Sequence, residues 1–243
     1  MGTPSFAELF PRGTNTTTEL DTKQTPHLEK GHDFEIKHSW DGKPIDHDPI
    51  KIKMRWHFER IPGKPHKRVV KVETRAPFFD DDPPNEYAGP TPGLWNYECI
   101  ELFFANQKGH YLEIEVGPQG HWLCLLHSGY RQCFNDGKEI ELQVENTLQG
   151  SEWICTMQIP LAYFPGRITK FNAYALHGSD NERHFEALYA VTDGTIKEPD
   201  FHRLEFFGTL DSRRIIPEGY NRQPFNDMKY GDMWAEATKA SES

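Results

Sequence analysis

Glu101, Glu113 and Glu115 alternate with Cys99, Phe103 and Tyr111 in two neighbouring runs, Cys99 to Phe104 and Tyr111 to Val116. Trp95, Tyr97 and Glu98 lie immediately upstream. Carboxylates grouped in this way have three chemical uses. They can accept protons from the hydroxyls of a sugar or polyol while aromatic rings cover its apolar faces. They can offer oxygen ligands to Ca²⁺. Alternatively, they form a concave outer face that Arg and Lys neutralise, with no ligand. Paired carboxylates also suit glycoside hydrolysis. No substrate cleft can be argued from the sequence, so an enzyme is not the expectation.

The residues between these carboxylates explain how they would be held. Ile100, Leu102 and Phe104 alternate with the first set, and Leu112, Ile114 and Val116 with the second. Period-two alternation on both sides of a short polar loop, Asn106 to Gly109, predicts a β-hairpin with one face in the core. Symmetric closure would set Glu101 opposite Glu113 and bring Cys99 near Glu115. Two carboxylates at such range raise each other's pKa unless a cation intervenes. An arginine between Glu101 and Glu113 is therefore expected. The candidate counter-charges are Arg55, Lys53, Lys71, Arg75 and Arg183. The expected core is Ile100, Leu102, Phe104, Leu112, Ile114, Leu123 and Leu125.

Further alternating or apolar runs predict strands at Asp33 to Ile36, Ile50 to Phe58, Arg68 to Phe78, His121 to His127, Glu139 to Val144 and Glu152 to Ile159. Others are Phe171 to His177, Phe185 to Tyr189 and Phe201 to Phe207. Pro160 to Phe164 reads as a short helical turn with Pro at its first position. Many short strands with little helical periodicity predict an all-β chain folded as an antiparallel β-sandwich. Residues 1–32, polar and Thr-rich, are expected to form a flexible extension. The sandwich is expected to span 33–210. Residues 211–243 are expected to form a tail that docks through Ile215, Ile216, Tyr220, Phe225 and Trp234.

Other chemistry-bearing runs have plainer readings. Asp80-Asp81-Asp82, in a long loop from Phe79 to Pro92, lacks calcium-loop spacing and reads as a solvated charge run. His177-Gly178-Ser179-Asp180, with Arg183 and His184, reads as a strand end turning into a loop, since a catalytic triad needs geometry rather than sequence proximity. His47, between Asp46 and Asp48, reads as exposed. The twelve histidines show neither H-E-x-x-H nor zinc-finger spacing.

Composition narrows the partners. The 27 basic and 37 acidic residues leave a net charge of −10, which would repel nucleic acid. No apolar run approaches the roughly 18 residues of a membrane span. Met1 to Thr18 lacks the apolar stretch of a signal peptide. Cys99, Cys124, Cys133 and Cys155 show no C-x-x-C spacing, so reduced thiols and a cytoplasmic location are expected.

Trp40-Asp41-Gly42, Ala76 to Asp81, Leu94 to Glu98, Glu101 to Phe104 and Tyr111 to Glu113 together resemble an uncharacterised eukaryotic family. Its human member is named only for an open reading frame on chromosome 4. The downstream runs Tyr163-Phe164-Pro165, Lys170-Phe171-Asn172, His177-Gly178-Ser179, Glu186 to Tyr189 and Pro199 to His202 agree. The resemblance covers roughly residues 33–210. More distantly, Trp95, Glu98, Glu101-Leu102-Phe103, Tyr111 and Pro118-Gln119-Gly120 are similar to family 9 carbohydrate-binding modules and DOMON-like sandwiches. That similarity implies a jelly-roll-like sandwich and a sugar-holding concave face, although Asn96-Tyr97-Glu98 stands where many such modules carry consecutive acids. The expectation is a non-catalytic binding module for a carbohydrate or polyol. Its ligand residues would be Trp95, Tyr97, Glu98, Glu101, Glu113, Glu115 and Arg55. No resident cofactor is expected, Ca²⁺ being the alternative. The rival reading is a structural or protein-interaction scaffold that meets a protein partner through its termini.

Overall fold

A computed structural model describes residues 31–60, 62–64, 66–217 and 229–240. Fourteen strands form two sheets. The first sheet runs β1 (Gly31–Ile36), β3 (Ile50–Glu59), β4 (Lys67–Pro77), β11 (Glu152–Pro160), β10 (Gln143–Gln149). The second runs β2 (His38–Ser39), β13 (His184–Ala187), β12 (Ile168–His177), β6 (Cys99–Asn106), β7 (Tyr111–Val116), β8 (His121–His127), β5 (Gly89–Pro90). Two short strands add to it: β9 (Cys133–Asn135) pairs with β8, and β14 (Gly208–Thr209) with β12. Every pairing is antiparallel except β5 with β8. Among the described residues the one α-helix is α1 (Ala235–Ala240), and the Pro160 turn is a 3-10 turn over Leu161–Tyr163. The expected all-β antiparallel sandwich is the observed fold.

Alternation explains the first sheet. Ile50, Ile52 and Met54 of β3 point inward, while Lys51 and Lys53 point to solvent. Trp153, Cys155, Met157 and Ile159 repeat the pattern on β11. They pack against Ile100, Leu102, Phe104, Leu112, Ile114, Val116, Ala173 and Ala175 of the second sheet in one core. Burying an aliphatic side chain of this size contributes about 1.5–3 kcal/mol.

The second sheet differs, because β6 and β7 are buried on both faces. A separate apolar cluster of Leu94, Cys99, Phe103, Tyr111, Leu123, Tyr174, Leu176 and Phe207 covers its outer side. Leu123 and Leu125 were expected in the inter-sheet core. They belong to this outer side instead, and Trp122, Cys124 and Leu126 face inward. Between its terminal histidines β8 is a continuous apolar run, and periodicity does not assign the faces of such a run.

The strand expected at Phe201–Phe207 is a coil with a 3-10 turn at Leu204–Phe206. Its apolar residues Phe201, Leu204 and Phe207 recur every three positions, and they lie on the outer cluster. Phe201 stacks on Tyr174 at 3.8 Å between ring centroids. The strand expected at Glu139–Val144 is displaced to Gln143–Gln149. Ile140 and Leu142 are core residues in the preceding loop. The edge strand β10 itself is mostly polar and exposed, with no hydrophobic pattern to mark it. Of the expected docking residues, Ile215, Ile216 and Trp234 are buried, while Tyr220 and Phe225 lie outside the described residues, as do residues 1–30.

The hairpin closes differently from the symmetric expectation. Gly109 takes φ 82°, and the Asn106 side chain accepts from the Lys108 and His110 amides. This gives a three-residue loop with glycine in the left-handed position. The pairing becomes Glu101 with Glu115 and Phe103 with Glu113, two residues from the expected register. An even shift preserves which side chains share a face. All three carboxylates therefore stay together on the outer side.

Candidate functional site

A cavity of about 720 Å³ opens on the outer face of the second sheet. Its floor is Glu101, Glu113, Leu125, His127 and Leu176, contributed by β6, β7, β8 and β12. Its walls are coil. Trp95 and Asn96 come from the 3-10 turn before β6, and Gly178 to Asp180 with Arg183 from the β12–β13 connection. Arg131 and Cys133 follow β8, and Pro199, Phe201 and His202 belong to the segment crossing the sheet.

The acids on this face sit in different environments. Glu101 and Glu115 face each other across β6 and β7, at 2% and 0% exposure. Burial raises both pKa values well above the ordinary carboxylate range, and the neighbouring acids add to the effect. Arg183 and Arg131 partly offset it at Glu101. Among the described residues neither Glu115 oxygen has a hydrogen-bond partner. Burial, then Glu101 and Glu115, also push the Cys99 thiol up. These three groups lie close enough to share an ion. A thiol and two carboxylates, however, supply fewer oxygens than the six to eight that Ca²⁺ takes.

Glu113 is held by His127, whose Nε2 lies 2.8 Å from its Oε2. The His127 ring stacks on Tyr111 with centroids 4.3 Å apart. The Tyr111 hydroxyl accepts from the Arg131 amide at 3.1 Å. Its own proton is thus free to go to His202 Nδ1, 2.7 Å away. Burial lowers the His202 pKa to about 4, so the ring is neutral at pH 7, with Nδ1 accepting and Nε2 protonated. Donor atoms of Glu113, His127 and His202 also converge closely. A metal ion at Nδ1 would break the Tyr111 hydrogen bond, so this group is better built for hydrogen bonding.

The arginines frame the opening. Arg183 donates to the carbonyls of Gly178, Trp95 and Tyr97 at 2.7, 3.0 and 2.7 Å, joining two walls. Arg131 pairs with Asp200 at 2.9 Å, and Tyr130 donates to the other Asp200 oxygen at 2.7 Å. Trp95 is 47% exposed at the rim.

Trp95, Glu101 and Glu113 line one cavity, and Arg183, one of the candidate counter-charges, acts on Glu101 electrostatically while its hydrogen bonds go to wall carbonyls rather than to the two acids. Four other expectations need correction. Tyr97 packs on the outer cluster and offers the site only its carbonyl. Glu98 is buried and accepts the Phe79 and Asp81 amides at 3.1 and 3.2 Å, anchoring the 79–92 loop. Glu115 lies outside the cavity lining, against Glu101. Arg55 sits on the first sheet, where it pairs with Asp33 at 2.9 Å. Lys53, Lys71 and Arg75 are on the same sheet, because β3 and β4 never join the hairpin's sheet.

Arg131, His127 and His202 were missed as site residues. Pro199 to His202 was visible as a motif without a role. Asp80 and Asp82 are exposed, as read, but Asp81 accepts the Gly178 amide at 2.5 Å and ties the loop to the cavity wall. β12 does end at His177 and turn into a loop, as expected. His47 is not exposed: its ring is half-buried against Glu186. All four cysteines are unpaired.

No family model matches the chain. Individual proteins do. The Mus musculus UPF0462 protein C4orf33 homolog is 38% identical over 202 residues, covering 81% of this chain and 99% of its own length. The Homo sapiens UPF0462 protein C4orf33 is 37% identical over 202 residues, covering 81% and 96%. The Danio rerio homolog is 38% identical over 205 residues, covering 81% and 96%. Among solved structures, a proposed carbohydrate-binding protein from Bacteroides uniformis aligns with a TM-score of 0.54 and 16% identity, over 74% of this chain and 85% of its own. A family 9 carbohydrate-binding module from Caldicellulosiruptor kristjanssonii, solved with glucose, aligns at 0.42 and 10%, over 66% and 75%. The Bacteroides likeness shows the common sandwich fold. No described helix is long and apolar enough to cross a membrane. Identity at this level across nearly the full length of the vertebrate proteins establishes that the chain belongs to the UPF0462 family.

Proposed function

We propose that this protein is a non-catalytic binding module that holds a small carbohydrate or polyol in the cavity over Glu101 and Glu113. The observation that carries the reading is the composition of that one cavity. Its volume falls within the usual range for ligand pockets, roughly 300–1,000 Å³. It joins acceptors (Glu113, Asp180), donors (Arg131, Arg183, His202 Nε2–H) and Glu101, whose raised pKa favours the protonated form that can do either. Hydroxyl groups both give and accept hydrogen bonds, so a polyol suits such a mixed lining. Trp95, Phe185 and Phe201 supply ring faces for its C–H patches.

The description of the Bacteroides protein points the same way. The four free thiols favour a reducing compartment, and we place the protein in the cytoplasm on that ground.

The test is a glycan array followed by titration calorimetry on the full chain, the Trp95→Ala variant and the Glu101→Gln variant. Binding by the parent that both variants lose, with thermal stability kept, is the expected result. No binding of any sugar or polyol, together with a Glu101→Gln variant that unfolds early, would favour the scaffold reading. Turnover of an aryl glycoside would reinstate the hydrolase.

A further inference from the structure

His47, His177 and Glu186 meet on the other side of the same sheet. Successive residues of a strand point to opposite faces. Leu176 and Phe185 line the cavity, so His177 and Glu186 point away from it. His177 ends β12, Glu186 lies on β13, and His47 comes from the loop between β2 and β3. One ligand atom from each residue lies within 4.8 Å of the others. His47 Nε2 is 2.7 Å and His177 Nε2 3.0 Å from the same oxygen, Glu186 Oε1.

One buried acceptor of this group has no hydrogen-bond partner among the described residues. His47 Nδ1 lies 2.9 Å from the Asp48 carbonyl, which can only accept. The proton of a neutral ring is therefore on Nδ1, and the Nε2 lone pair is aimed at a carboxylate oxygen. Protonating His47 would answer that one contact. It would not help Glu186 Oε2, which is buried with no hydrogen-bond partner among the described residues, the residue being 3% exposed. A carbonyl fixing Nδ1–H so that Nε2 is free to coordinate is the usual outer arrangement of a metal-bound histidine.

We propose that His47, His177 and Glu186 bind a divalent transition-metal ion of the zinc class. Two imidazole nitrogens and one carboxylate oxygen suit Zn²⁺, which leaves a fourth position for water. Bonds of about 2.0–2.1 Å at tetrahedral angles place ligand atoms about 3.3 Å apart. The 2.7 and 3.0 Å contacts would open by tenths of an ångström, and the third pair, the two imidazole nitrogens within 4.8 Å, would settle near the same spacing. Phe79 and His184 stack on the His177 ring at 3.5 and 4.7 Å, holding it in place. The ion would pin the His47 loop to the edge of the sheet, independently of any ligand in the cavity. The ligands come from three separate segments, so no spacing rule could have marked them.

The test uses the full chain stripped with a chelator, with Co²⁺ as a spectroscopic probe and Zn²⁺ in competition. A Cys133→Ser background removes the exposed thiol as a rival donor. The expected result is one Co²⁺ per chain with tetrahedral d–d absorption, displaced by Zn²⁺. His47→Gln, His177→Gln and Glu186→Gln should each weaken binding by at least about tenfold, because even a lost outer partner costs 10–100-fold. Trp95→Ala, on the other face, should bind normally. Far-ultraviolet circular dichroism of the metal-free variants checks folding, and His47→Gln, in a loop, is the variant that must fold for the comparison. The absence of stoichiometric binding by the parent, or binding that persists unchanged in all three variants, overturns the proposal.

Discussion

Glu115 provides a sharp test of the acid-rich face. The side chain is fully buried opposite Glu101, neither oxygen has a hydrogen-bond partner among the described residues, and burial raises its pKa well above 4.5. A group whose folded pKa exceeds its unfolded one binds more protons when folded. Its contribution is fully present below the unfolded pKa and is lost as pH rises toward the folded pKa. Each such group lowers stability by about 1.4 kcal/mol per pH unit in that window. As pH rises above the unfolded pKa, Glu115 should therefore remove stability until the folded carboxyl also ionises. Glu115→Gln keeps the shape of the protonated acid and cannot titrate. Burying its amide adds a cost, but that cost is the same at every pH, so the difference in slope is the readout. Urea denaturation followed by tryptophan fluorescence at pH 5, 6 and 7 measures it. The variant should gain on the parent as pH rises across this range. Parallel pH profiles would mean that Glu115 is ionised in the folded protein, and the account of this face would fail.

The inter-sheet core is tested by Leu102→Ala, which should cost about 2–5 kcal/mol in chemical denaturation; a neutral effect would put the wrong face of β6 inside. The thiols should separate under a reagent such as Ellman's. Cys133, exposed, should react in the native protein, and Cys99, Cys124 and Cys155 only after unfolding. Burial pushes the Cys155 pKa to about 12, so rapid native labelling of more than one thiol would contradict the described packing.

The legible parts of the sequence were those with one wet and one dry face. Lys51 and Lys53 betray the inward course of Ile50, Ile52 and Met54 without any help from context. The carboxylates of the hairpin likewise mark their own face, and an even register error left it intact. What failed has a common cause. On β8, apolar residues fill both parities from Trp122 to Leu126, and the two terminal histidines on the parity of Leu123 and Leu125 are too weak a polar signal to mark the outer face. Arg55 was offered as a counter-charge because nothing local says which sheet a strand joins. Arg131, His127 and His202 reach the cavity through the pairing of β8 with β9 and the crossing of the 199–207 segment. Those placements depend on the assembled sheet. His47 read as surface because its neighbours are charged, whereas its partners lie more than a hundred positions away.

The cavity has a load-carrying floor and a roof that carries little. Glu101 and Glu113 sit on strands bonded on both edges and packed on both faces, so changes there are constrained by folding. Trp95, Arg131, Phe201 and His202 sit on coil outside that ladder. On the proposed binding function, selection on ligand preference can work on the roof while the strands keep the protein folded. Relatives that share this floor are free to differ in what they hold, and divergence in the family should concentrate in the segments that cross the sheet rather than in the sheet itself.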